Sequence, residues 1–107
     1  MHCEPNMTYR VEISPSALND AEAAFLWHQK ESPKTAADWY NGLVDAILSL
    51  ETFPNRCPIA PESEAIGREV RQLFYQRHRI LFGVSGQVVR IYRIRHTSRD
   101  WLSPEEL

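Results

Sequence analysis

The segment Val89–Trp101, VRIYRIRHTSRDW, sets arginines between bulky apolar side chains and runs into a histidine. Its Arg93, Arg95 and Arg99 add to Arg77 and Arg79 of the preceding segment, QRHRILFGV. A guanidinium offers a planar fork of donors that matches phosphate or carboxylate, so this cluster points to anion recognition. The same arginines would serve equally well as a solvated surface. His96 can exchange a proton near neutral pH and so could act as a general acid or base. Its structural alternative is a cap on the strand end, hydrogen-bonded to the tail that follows.

The positive charge is regional. The chain of 107 residues has a net charge of −2. Residues 68–107 nevertheless hold eight arginines, no lysine and four acids, a net +4, against −6 for residues 1–67. Side chains alternate across a strand, which predicts Tyr92, Ile94 and His96 on one face and Arg93 and Arg95 on the other. In the preceding strand His78, Ile80, Phe82 and Val84 form an apolar face, with Arg77 and Arg79 turned away from it. If helices cover the apolar face, the other face is expected to be open, wet and cationic, a surface for an anionic partner.

Periodicity predicts the elements that must position these groups. TYRVEIS alternates as a half-buried strand. Ser14-Pro15 and Ser32-Pro33 each place an N-cap serine before a proline at the first helical position. The first helix is predicted to run to about Glu31, with Leu18, Ala21, Phe25 and His28 on its stripe and Ala17 and Ala24 beside it. The second is predicted to run to about Thr52, with Ala36, Tyr40, Leu43, Ile47 and Leu50 inward and Trp39, Val44 and Ala46 widening that face. So short a break folds the two into an antiparallel hairpin.

FPNRCPIAPESEAIG, rich in proline, is expected to be a surface connection. REVRQLFY, HRILFGV and VVRIYRI follow as three strands joined by tight turns, and HTSRDWLSPEEL is expected to close with one helical turn. The order β-α-α-β-β-β predicts an α+β fold, a helical hairpin on one face of a small, mainly antiparallel sheet.

Length fits a single domain over residues 1–107, with residues 1–7 a disordered lead-in and Met7 an alternative start. The hydrophobic fraction of 43% suffices for one modest core. No apolar run approaches the ~20 residues of a membrane span, and no signal peptide is visible, so a cytoplasmic protein is expected. Cys3 and Cys57 lack ligand spacing and read as isolated thiols. His2-Cys3 could hold a metal only adventitiously, and neither metal nor cofactor is expected. Arg99 and Asp100 could form a local pair worth ~0–1 kcal/mol if exposed.

YRVEISPSALNDAE, LSLETFP, VRQLFYQRHRILFGV and VVRIYRIRHTSRD, in that order and spacing, resemble the RelE/ParE superfamily of bacterial type II toxins, which includes plasmid stabilisation proteins. The resemblance covers about residues 8–101 and implies the same fold and a small antitoxin that wraps the toxin. It also implies one of two activities. RelE-like members are ribosome-dependent ribonucleases that cut messenger RNA, and here Arg71, Arg79 and His96 would be the candidate catalytic set. Against that activity, Thr97 stands where the resemblance implies an arginine, no tyrosine follows, and the lysine-rich docking surface is missing. ParE-like members poison DNA gyrase without a recognised catalytic set and tend to have a longer helical hairpin, as here. The sequence favours the ParE-like reading, with Arg77, Arg79, Arg93, Arg95 and Arg99 as the contact surface for antitoxin or target. A third reading is an interaction module of the same fold that has lost toxicity.

Overall fold

The computed structural model describes residues 8–99 and 101–107. The expectations for His2, Cys3, Met7 and the Arg99–Asp100 pair therefore lie outside the described residues. The chain forms β1 (Arg10–Ile13), α1 (Pro15–Gln29), α2 (Pro33–Leu48), a short α3 (Ser63–Ile66), β2 (Arg71–Tyr75), β3 (His78–Ser85) and β4 (Val88–His96), with a closing 3-10 turn at Pro104–Glu106. The sheet order is β1-β4-β3-β2, antiparallel except for the parallel β1–β4 pair. This is the predicted α+β arrangement.

Both serine–proline signals act as read. Ser14 Oγ accepts the Ala17 N–H at 3.0 Å and donates to the Tyr92 carbonyl at 2.8 Å, tying the start of α1 to β4. Ser32 Oγ accepts the Thr35 N–H at 2.9 Å. Each satisfies an amide that the first helical turn leaves without a partner. Both helices stop slightly short of expectation, α2 passing into a 3-10 turn at Ser49–Glu51.

The core between hairpin and sheet gathers Ala17, Ala21, Trp39, Leu43, Ile47 and Leu50 against Ile80, Phe82, Val89, Ile91 and Ile94. The inward phase of α2 runs through Ala36, Trp39, Leu43 and Ile47, so Trp39 is 3% exposed while Tyr40, predicted inward, is 41% exposed. Leu18, also predicted inward, is 52% exposed. Tyr40 instead meets Phe25 edge-to-face at 5.8 Å on the outer side of the hairpin. Ala17 and Ala21 are the buried residues of α1, and side chains that small let the helix lie close to β4.

Two sequence expectations fail at the second face of the sheet. A β-bulge shifts the β3–β4 register: Phe82 pairs with Ile91, but Leu81 pairs with Arg93. Tyr92 is the extra residue, so Val89, Ile91, Ile94 and His96 all share the helical face and Tyr92 is turned to the other. There it packs over Gly83, where a Cβ would collide with its ring. That face is also not open. Ala60, Val70, Leu81 and Leu102 form a second core, with Ile66, Tyr92 and Leu107 packed against it. The proline-rich connection, expected at the surface, and the C-terminal segment are its covering layer.

Candidate functional site

Arg79 is 7% exposed, near the start of β3 on the second face. Its Nη1 and Nη2 donate to the two oxygens of Glu62 at 2.9 and 2.6 Å, and its Nε donates to Gln72 Oε1 at 3.0 Å. Burial alone pushes the Glu62 carboxyl up. The hydrogen bonds from Arg79 and from the Leu102 amide outweigh it and hold the group below its ordinary value.

Arg95, 9% exposed, donates to Glu106 Oε2 at 2.9 Å. The Ser103 amide, followed by Arg95, holds the Glu106 carboxyl down at about 2. Arg93 forks onto Asp20 of α1 at 2.7 and 2.9 Å and reaches the Glu106 carbonyl at 2.9 Å. Asp20 also accepts the Ile94 amide at 3.0 Å, beyond the last β1 pairing.

Three of the five arginines assigned to an outward cationic surface are thus held by internal carboxylates. Of the five, the other two, Arg77 and Arg99, are exposed with no ion pair among the described residues. The missed groups are the acids. Glu106 had a local signal, the capping box Ser103–Glu106. Glu62 and Asp20 had none, because each meets its arginine only through the tertiary fold.

Arg71, Arg79 and His96 do not converge. Arg71 pairs with Phe82 and Leu73 with Ile80, so Arg71 lies on the helical face, whereas Arg79 lies on the opposite one. Arg71 donates to the carbonyls of Cys57 and Asn55 at 2.6 and 3.1 Å, pinning the connection after α2. His96 pairs with His78, four residues along β3 from Phe82, which at ~3.3 Å per residue separates it from Arg71 by roughly 13 Å along the strands alone. Its Nδ1 accepts the Ser98 amide at 3.0 Å, the strand-end cap that the sequence allowed.

The helical end of the sheet holds an arrangement that the strand pattern did not expose. His28, Trp39, His78 and His96 form a chain of ring contacts at 4.9, 5.2 and 5.3 Å. They line a cavity of about 700 Å³ together with Trp27 and Arg77. Burial, then the neighbouring His96 and His28, push the His78 imidazole down to about 4, so it is neutral at pH 7. Among the described residues no group of three or more His, Cys, Asp or Glu side chains is arranged to hold a metal ion. None of the described helices is long and apolar enough to cross a membrane.

Residues 11–101 match the family profile of the ParE toxin of the type II toxin–antitoxin system parDE. The chain belongs to the ParE toxin family. This ParE-family toxin is similar in fold to a chain of the chromosomal ParDE toxin–antitoxin system from P. aeruginosa, at 22% identity and a TM-score of 0.69, covering 85% of this chain and 97% of that one. It is also similar to a chain of the toxin–antitoxin complex RelBE2 from Mycobacterium tuberculosis, at 19% identity and a TM-score of 0.57, covering 87% and 95%. At these identities the two neighbours speak for the fold of the ParE-family chain. A search of curated protein sequences found no match.

Proposed function

We propose that this toxin acts in the cytoplasm by inhibiting DNA gyrase through protein contacts, and that a cognate antitoxin neutralises it. The observation that carries the first part is the dispersal of the candidate catalytic groups. A ribonuclease needs its basic groups and its acid or base within hydrogen-bond reach of one phosphate. Here Arg71 and Arg79 lie on opposite faces of the sheet, and the guanidinium of Arg79 is occupied on both Nη atoms by Glu62. An inhibitor that works by occupying a protein surface needs no such convergence. Membership of the ParE family supports the same reading.

For the antitoxin, the accessible cations Arg77 and Arg99 suit an acidic and apolar segment, whereas Arg79, Arg93 and Arg95 shape the surface from beneath through their carboxylate pairs. The test is a pair of assays on purified protein, gyrase supercoiling and cleavage of ribosome-bound message. Inhibition of the first without the second supports the proposal.

A further inference from the structure

We propose that His78 and His96, where β3 begins and β4 ends, form a binding site for a zinc ion. The two residues stand directly opposite each other on adjacent antiparallel strands. The Thr97 amide donates to the Arg77 carbonyl at 2.8 Å, which makes them a non-hydrogen-bonded pair, the kind whose side chains approach most closely. Their rings meet at a centroid separation of 5.3 Å. A zinc ion ~2.0–2.1 Å from both Nε2 atoms, at a tetrahedral angle, sets the ring centroids roughly 5.2 Å apart. Strand pairing has therefore already brought two imidazoles to chelating distance.

The surroundings of each ring sort its nitrogens. Both rings line the cavity beside Trp39. His78 Nδ1 is sealed by packing, so Nε2 is the nitrogen of that ring open to the cavity. His96 Nδ1 is turned to Ser98, which leaves Nε2 as its free nitrogen. Coordination through Nε2 moves the proton of each neutral ring to Nδ1. At His96 the Ser98 hydroxyl, 2.8 Å away, then accepts it, the outer-shell partner that a ligating histidine usually has, and the Ser98 amide gives up its own bond. At His78 the proton enters a sealed position without an acceptor, which lowers the affinity. Among the described residues no third His, Cys, Asp or Glu completes the group. The site is an open chelate, weaker than a four-ligand structural zinc centre, with the remaining positions left to water.

The experiment is a titration of the full chain with zinc chloride, followed through the histidine ring signals in nitrogen–proton NMR spectra. His2→Gln with Cys3→Ser provides the background, so that the donors near the start of the chain do not compete. Zn²⁺ is expected to move the His78 and His96 signals together in one saturable step, with a dissociation constant between about 10 and 500 µM. The Ser98 amide signal should move with them, because its bond to Nδ1 is given up. Mg²⁺, which takes oxygen ligands, should leave all three in place. His96→Gln should weaken zinc at least tenfold, and His78→Gln should do the same. If either variant fails to fold, the spectra of the unsubstituted pair decide. Movement of one ring without the other, an equal response to Mg²⁺, or unchanged affinity in a folded His96→Gln would overturn the proposal.

Discussion

Glu62 and Arg79 lie in a two-pronged contact between the covering layer and the sheet, nitrogen to oxygen at 2.9 and 2.6 Å, with both side chains almost wholly out of water. The pair joins residues 17 positions apart in sequence, and its carboxylate also receives the Leu102 amide from the C-terminal segment. One acid thus ties together the proline-rich connection, the central strand and the tail. Removing one partner strands a buried charge.

Glu62→Gln should therefore destabilise the fold by roughly 3–5 kcal/mol in urea unfolding, more than removing an exposed pair would. The double variant Glu62→Leu with Arg79→Met should recover part of the loss, because no buried charge is then left alone. A loss below about 0.5 kcal/mol in the single variant would contradict a dry ion pair at this position.

The hairpin is held by the inward phase of α2. Leu43→Ala or Ile47→Ala should cost on the order of 2–5 kcal/mol, whereas Leu18→Ala, exposed on α1, should cost well under that. Equal losses at Leu43 and Leu18 would mean that the hairpin packs with the other face.

Acid should loosen the ring chain before it affects the carboxylates. His78 titrates at about 4 in the fold against 6.5 when free, so between those values the unfolded chain binds more protons. Stability accordingly falls as pH drops from about 6.5 towards 4, and is regained above 6.5. The neighbouring His96 and His28 rings oppose a proton on His78. The lowered carboxyls of Glu62 and Glu106 contribute stability that is present above their free value of 4.5 and lost only below it. Melting temperatures at pH 4.8 and 6.8 isolate the histidine, on the order of 1–3 kcal/mol. His78→Phe should flatten that interval, and an unchanged slope would place the titration elsewhere.

Local signals were legible in the sequence and tertiary ones were not. Ser14-Pro15 and Ser32-Pro33 set both helix starts because a cap involves a handful of adjacent atoms. Strict alternation misplaced Tyr92, because the bulge beside it is decided by pairing with β3 and not by β4 alone. The arginines were visible but their carboxylates were not: Asp20 stands 73 residues from Arg93 and meets it only after α1 folds onto β4. Counting charge therefore found a positive half of the chain and overstated the positive surface. The ring chain at His28, Trp39, His78 and His96 was hidden for the same reason, since its members come from four separate elements.

An antitoxin bound through Arg77 and Arg99 should associate more slowly as salt rises, with a smaller effect on dissociation. Arg77→Gln with Arg99→Gln should reduce that salt dependence while leaving the fold intact, as both side chains are exposed. Association kinetics at low and high ionic strength measure it. A rate independent of salt would remove these arginines from the interface.

The central claim is inhibition by surface contact and not by phosphodiester chemistry, and His96→Gln tests it most directly. Removing a true general acid or base typically costs 10²–10⁴-fold, enough to silence a ribonuclease toxin. The measurement is growth inhibition by induced His96→Gln beside wild type, with folding checked by thermal unfolding and with gyrase supercoiling and ribosome-bound message assayed in parallel. The account predicts a folded variant that still arrests growth, and a wild type that blocks supercoiling and leaves message intact. A folded variant that has lost toxicity, together with a wild type that cuts message on the ribosome, would contradict it.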